Sequence, residues 1–178
     1  SFKAFVMKYR NMRGLNNALD AAKALVQKPP EALDKEAMLL NTPGGTYYLP
    51  DGMDGWRATN PEDLLTKVTA VVPSDEGMQL WLDALELFFC GDRQLIDYVQ
   101  MICGLCIVGK VYVESLIIAY GDGRNGKSTF WNVIYKVLGS YSGNMSADAL
   151  TMNCKRNVKP EMAELKSKRL IIAAELQE

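Results

Sequence analysis

Residues 121–128 read GDGRNGKS, a glycine, four residues, then Gly-Lys-Ser. Average composition yields that pattern in roughly one chain in a few hundred of this length. Each residue type suits one chemistry. Glycines at 121, 123 and 126 let the backbone turn with positive φ and come close to a polyphosphate. Successive amides at the start of a helix then form a nest for an anion. Lys127 is expected to reach the β- and γ-phosphates as a point charge. The Ser128 hydroxyl is expected to ligate Mg²⁺, with Asn125 and Thr129 completing the phosphate cradle. The loop follows an apolar run and opens an amphipathic stretch, which is the context a phosphate-binding loop requires.

Such a loop needs an acid to orient the metal and the attacking water. Glu175 is the candidate, because it ends the apolar run Leu170–Ala174, where ligands gather in open α/β sheets. Glu178 stands three residues on. Arg124 sits in the loop, and Asp122 is read as a turn former. A bland alternative stays open for each: an exposed glycine-rich turn with an incidental lysine, and a solvated loop carboxylate.

Other chemistries are excluded. The chain has no histidine, so no Ser-His-Asp triad, Cys-His dyad or His-Glu-x-x-His zinc site can exist. The cysteines are Cys90, Cys103, Cys106 and Cys154. Cys103 and Cys106 form a C-x-x-C without a second pair at metal spacing, inside an uncharged stretch, so they are expected as buried helix residues. Nothing suggests a disulfide framework, and a reducing, cytoplasmic setting is expected. The stretch around 98–120 is interrupted by Lys110 and Glu114 and falls short of a membrane span, and no signal peptide opens the chain.

The elements that must position these residues follow from periodicity. Residues 14–28 carry apolar positions at helical spacing, and Pro29-Pro30 ends them. A second short helix is expected at 31–40. Thr46–Leu49, between Gly-Gly and Pro-Asp-Gly, reads as part of a small hairpin. Asn60-Pro61-Glu62-Asp63 reads as a helix start. Residues 78–90 and 92–109 read as two buried helices, with Trp81, Leu85, Phe88 and Phe89 as core. The texture then changes. Leu116–Tyr120 and Leu170–Ala174 read as short buried strands, with a helix over Thr129–Leu138 closed by Gly139.

The 178 residues include 48% hydrophobic and 23% charged residues, an ordinary globular composition. Net charge is −1, which excludes a uniformly basic nucleic-acid wrapper. Residues 1–28 are net +5, residues 29–105 net −9 and residues 106–178 net +3. A basic arm (Lys3, Lys8, Arg10, Arg13, Lys23, Lys28) and a basic patch (Lys155, Arg156, Lys159) are therefore candidate contacts for nucleic acid, or solvated faces.

The loop GDGRNGKSTFWNVIYKVLGSYS resembles that of the primase–helicases of phages, plasmids and large DNA viruses, which are superfamily 3 helicases. The upstream segments LLNTPGGTYYL, ATNPEDLLTKVTAVVP, WLDALELFF and ICGLCIVGK are similar to the helical domain before the motor in the poxvirus-like and phage-like branch. LKSKRLIIAAELQE resembles the family's second acidic motif, a Lys-Arg pair, a strand and a closing Glu. The resemblance spans essentially the whole chain.

It implies a mainly α N-terminal domain with a small β-hairpin over 1–110, then a partial α/β P-loop NTPase, AAA+-like domain over 111–178. It implies ATP and Mg²⁺ as cofactors. Lys127 and Glu175 would be the catalytic residues, with Gly121, Gly123, Asn125, Gly126, Lys127, Ser128 and Thr129 around the nucleotide and Ser128 and Glu175 at the metal. Single-stranded or forked DNA and a homo-oligomeric ring are the implied partners, with no membrane. Members continue beyond the second acidic motif, so the resemblance implies a fragment of an ATP-dependent DNA helicase in phage or mobile-element replication, inactive by itself. Two other classes stay open: another P-loop phosphotransferase such as a kinase, against which the long helical region before the loop counts, and a non-hydrolysing nucleic-acid-binding or assembly module.

Overall fold

The computed structural model describes residues 2–123, 125–150 and 159–174. The chain divides into two compact units, Ser1–Leu33 and Asp34–Glu178.

The first unit is a pair of helices, α1 (Phe2–Tyr9) and α2 (Met12–Val26). The Asn11 side chain caps α2 by accepting from Gly14 N at 2.8 Å, satisfying one of the free amides of the first turn. Pro29 and Pro30 stop the helix, as expected.

The expected helix at 31–40 does not form. A 3-10 turn over Pro30–Ala32 is followed by Asp34 at φ 54°, and strand β1 (Leu39–Thr42) begins. Asp34 is held there because its carboxylate accepts from the Thr66 amide and hydroxyl, both at 2.6 Å. Those bonds outweigh a weak helical pattern.

β1 pairs antiparallel with β2 (Gly45–Tyr48), and β2 with β3 (Trp56–Arg57). This is the expected hairpin with a third short strand. Thr42 donates its hydroxyl to Gly45 O at 2.8 Å, closing the turn. The helix start at Asn60 yields only a 3-10 turn, Pro61–Asp63, with Asn60 accepting from Glu62 N.

Helices α3 (Met78–Phe88) and α4 (Arg93–Leu105) stand where periodicity put them, and Asp92 caps α4 through Leu95 N. α5 (Lys127–Leu138) follows, closed by Gly139. β4 (Ser142–Ser146) and β5 (Leu170–Ala174) pair in parallel, Ser142 opposite Leu170 and Ser146 opposite Ala174. A short helix, α6 (Lys159–Glu164), lies between them in sequence.

Leu116–Tyr120 is not a strand. No partner strand flanks it among the described residues, and Leu116, Ile118 and Tyr120 are largely exposed. An apolar run becomes a strand only where a neighbour takes its amides and carbonyls.

Two clusters form the core. Leu85, Ile96, Val99 and Phe130 join α3, α4 and α5, with Trp81, Phe88 and Phe89 packed on them. Leu40, Ile102, Cys106, Leu138 and Tyr141 join β1, α4 and the end of α5. Trp131 and Ile134 of α5 touch both clusters. The helix that begins at Lys127 is therefore the shared wall of the core. Each fully buried apolar side chain in it contributes about 1.5–3 kcal/mol.

Candidate functional site

The loop over 121–126 is turned by its glycines. Gly121 has φ 148° and Gly126 φ 84°, where a side chain would be strained. Gly126 is the residue before α5 and lacks a side-chain cap; its carbonyl accepts from Phe130 N at 2.9 Å. The first-turn amides of Ser128 and Thr129 have no acceptor within the helix. The dipole adds partial positive charge there, and no acidic side chain in the first turn offsets it.

The Lys127 ammonium is folded into the loop. It donates to Gly121 O at 2.8 Å, Asp122 O at 3.0 Å and Asn125 Oδ1 at 3.0 Å. Asn125 Oδ1 also accepts from the Lys127 amide at 3.4 Å. One asparagine thus ties both ends of the lysine. Gly121, Gly123, Asn125, Ser128 and Thr129 are exposed, and Gly126 and Lys127 half-buried. The structure brings these seven residues together on one loop and one helix start. Glu175, Glu178, Arg124, Lys155 and Arg156, and the side chain of Lys159, lie outside the described residues.

β5, the strand expected to carry Glu175 at its end, is anchored at its beginning by Arg169. The Arg169 amide donates to Tyr141 O at 2.7 Å. Its guanidinium donates to Leu39 O at 2.7 Å and to Ile107 O, and lies 4.3 Å from the Tyr141 ring centre. Tyr141 is 1% exposed, and its hydroxyl accepts from Asn41 N at 3.0 Å. Burial raises the Tyr141 pKa, and burial lowers that of Arg169. One arginine so connects β1, the segment after α4, and β5. Ser142 at the start of β4 donates to Tyr135 O at 2.8 Å and Gly139 O at 2.7 Å, closing the end of α5. The sequence marks Arg169 only as half of the Lys-Arg pair before an apolar run, and that pair is the available signal.

The expected buried helix cysteines are met in part: Cys103 is half-buried near the end of α4, and Cys106 is the residue that caps it. Cys106 is buried, and burial pushes the Cys103 thiol up to about 11, with Cys106 nearby adding to it. Such thiols are protonated and inert at neutral pH. Among the described residues, no group of three or more His, Cys, Asp or Glu could hold a metal ion. None of the described helices is long and apolar enough to cross a membrane.

Up to residue 90 the chain carries the helix pair of the first unit and, in the second, the β-hairpin and α3, all before the glycine-rich loop in sequence. Residues 1–90 match the family described as D5 N terminal like. The chain belongs to that family, the N-terminal domain of phage and poxvirus D5-like primase–helicase proteins. No curated protein matches the chain.

Proposed function

We propose that this chain joins the N-terminal region of a D5-like primase–helicase to the first part of its ATP-driven motor, residues 111–178, and acts in phage or viral DNA replication. The observation that carries the reading is the loop at Gly121–Ser128. Its lysine is gathered by oxygen acceptors at the N-terminus of α5. A polyphosphate offers the same kind of acceptor with more charge, so Lys127 can exchange loop carbonyls for phosphate oxygens.

The residues fit Mg²⁺-ATP. The amides of Ser128 and Thr129 are free of helix partners and meet an anion. Ser128 presents an exposed hydroxyl. Mg²⁺ keeps several waters and needs few protein ligands beside phosphate, so one hydroxyl and the acid at Glu175 suffice. Bound Mg²⁺-ATP would supply the γ-phosphoryl group, whose transfer to water releases ADP and phosphate and provides the free energy for unwinding. Lys127 and Ser128 would bind and orient it, and Glu175 would hold a water.

DNA and a homo-oligomeric ring complete the proposal. The basic charge of the first unit, six basic groups and one acid over residues 1–28, favours contact with DNA phosphates. Titrating forked DNA at rising salt tests it. A steep fall in affinity, lessened by Lys8→Ala with Arg10→Ala, is expected, and a salt-independent affinity would overturn it. Assaying ATP with sugar, nucleoside and peptide acceptors tests the kinase reading: phosphate on an acceptor would replace the helicase proposal.

A further inference from the structure

Gly126 is crowded from outside the loop by one side chain. A methyl group on Gly126 would lie 2.6 Å from Cε1 and 2.7 Å from Cδ1 of Phe88. Position 126 is therefore confined to glycine twice, by its φ of 84° and by this ring. Among the described residues, nothing comes within 4 Å of where a side chain on Gly123 would start. The bonds of Lys127 to described residues run inside the loop itself. They cannot fix the loop against the rest of the protein.

Phe88 is the last residue of α3 and packs on the cluster of Leu85, Ile96, Val99 and Phe130. Its neighbour Phe89 meets Phe130 edge to face at 5.7 Å, and Trp81 stacks on Phe130 at 5.6 Å. Phe130 stands four residues after Gly126, one turn into α5. The end of α3 thus touches α5 twice, at the residue before the helix and one turn into it. Side-chain packing of this kind holds an element in one arrangement, because close-packed interiors yield little.

We propose that Phe88 is a positioning residue for the phosphate loop. Its ring fixes Gly126, so that the amides of Ser128 and Thr129 stay aimed while the Lys127 ammonium leaves Gly121 O, Asp122 O and Asn125 Oδ1 for a phosphate. The α3–α4 hairpin thereby sets the affinity of the loop for nucleotide. The inference rests on the phosphate-loop reading. Its physical basis is preorganisation: a loop already held loses less freedom on binding.

The test is calorimetric titration of Mg²⁺-ATP into the parent chain and four variants, with thermal unfolding of each. Phe88→Ala is expected to weaken binding about tenfold, within the range by which packed networks modulate a distant site. Trp81→Ala removes a core aromatic that stacks on Phe130 and is not among the atoms nearest Gly126; it should lower the unfolding midpoint at least as much and leave affinity within about twofold. Phe88→Leu keeps apolar bulk but not the flat contact and should fall between; it decides the matter if Phe88→Ala does not fold. Lys127→Ala separates the two levels. If the parent binds, Lys127→Ala does not, and the folded Phe88 variants bind like the parent, Phe88 has no positioning role and the loop reading stands. Equal losses in Phe88→Ala and Trp81→Ala also overturn the proposal, since stability alone would then explain both. If the parent fails to bind, the loop reading falls, and this inference with it.

Discussion

The Arg169 guanidinium lies 4.3 Å from the centre of the Tyr141 ring, and the Arg169 amide donates to the Tyr141 carbonyl. Side chain and backbone of one residue thus grip another that is 1% exposed. Through this pair the hairpin strand β1, the end of the α4 segment and the parallel strand β5 share one fixed point. The strand expected to present Glu175 starts from a locked position.

Arg169→Ala removes a charged donor to two carbonyls and the stacking on Tyr141. The carbonyls of Leu39 and Ile107 are left without that donor. A loss of about 2–4 kcal/mol is expected. Arg169→Lys recovers less than half, because a single ammonium cannot reproduce the planar fork. Urea unfolding of the three proteins checks both figures.

Phe130 is 3% exposed and meets Trp81, Phe89 and Trp131 at ring distances of 5.1–5.7 Å. Phe130→Ala is expected to cost about 3–5 kcal/mol. Thr129→Ala, one residue earlier and exposed, should stay within about 0.5 kcal/mol of the parent. Chemical denaturation separates the two.

Cys103 titrates at about 11 in the folded protein, raised from 9.0 by burial first and by Cys106 second. The folded state therefore holds this proton more tightly than the unfolded chain. Its contribution to stability is complete below pH 9 and is lost as pH rises towards 11. Tyr141, also raised by burial, acts in the same direction at higher pH. Unfolding free energy measured from pH 8 to 11 should fall, and Cys103→Ala should flatten the part between 9 and 11. At pH 8 a thiol reagent should label exposed Cys90 rapidly and Cys103 and Cys106 slowly. Mass spectrometry of the labelled peptides reads this directly.

The legible parts of the fold are those whose residues state their own surroundings. α3, α4 and α5 carry apolar side chains at helical spacing, and β5 is an unbroken apolar run; all four stand where the pattern put them. β4 was illegible. Its sequence, SGNMS, has no apolar run, and it becomes a strand because Ser142 and Gly143 pack closely and β5 supplies a partner. Leu116–Tyr120 fails in the opposite way, being apolar without a partner among the described residues. The 31–40 segment was lost to a contact 32 residues away, Asp34 with Thr66.

The site divides likewise. The glycines, Lys127 and Ser128 are visible from spacing, because their chemistry is local. Phe88 and Arg169 are not, since an aromatic in a helix and an arginine before a strand have many uses. Only the close approach of Phe88 to Gly126, and of Arg169 to Tyr141, gives them a role.

The most direct measurement is the binding of Mg²⁺-ATP to this chain with Lys127→Ala beside it. Among the described residues the Lys127 ammonium reaches loop acceptors alone, so its loss should shift stability by no more than about 1 kcal/mol while removing the charge proposed to meet phosphate. Saturable, Mg²⁺-dependent binding by the parent, abolished in a variant that unfolds at nearly the same temperature, is the predicted result. Equal affinity in the two proteins, or no binding by the parent, would contradict the assignment of Gly121–Ser128 as a phosphate-binding loop.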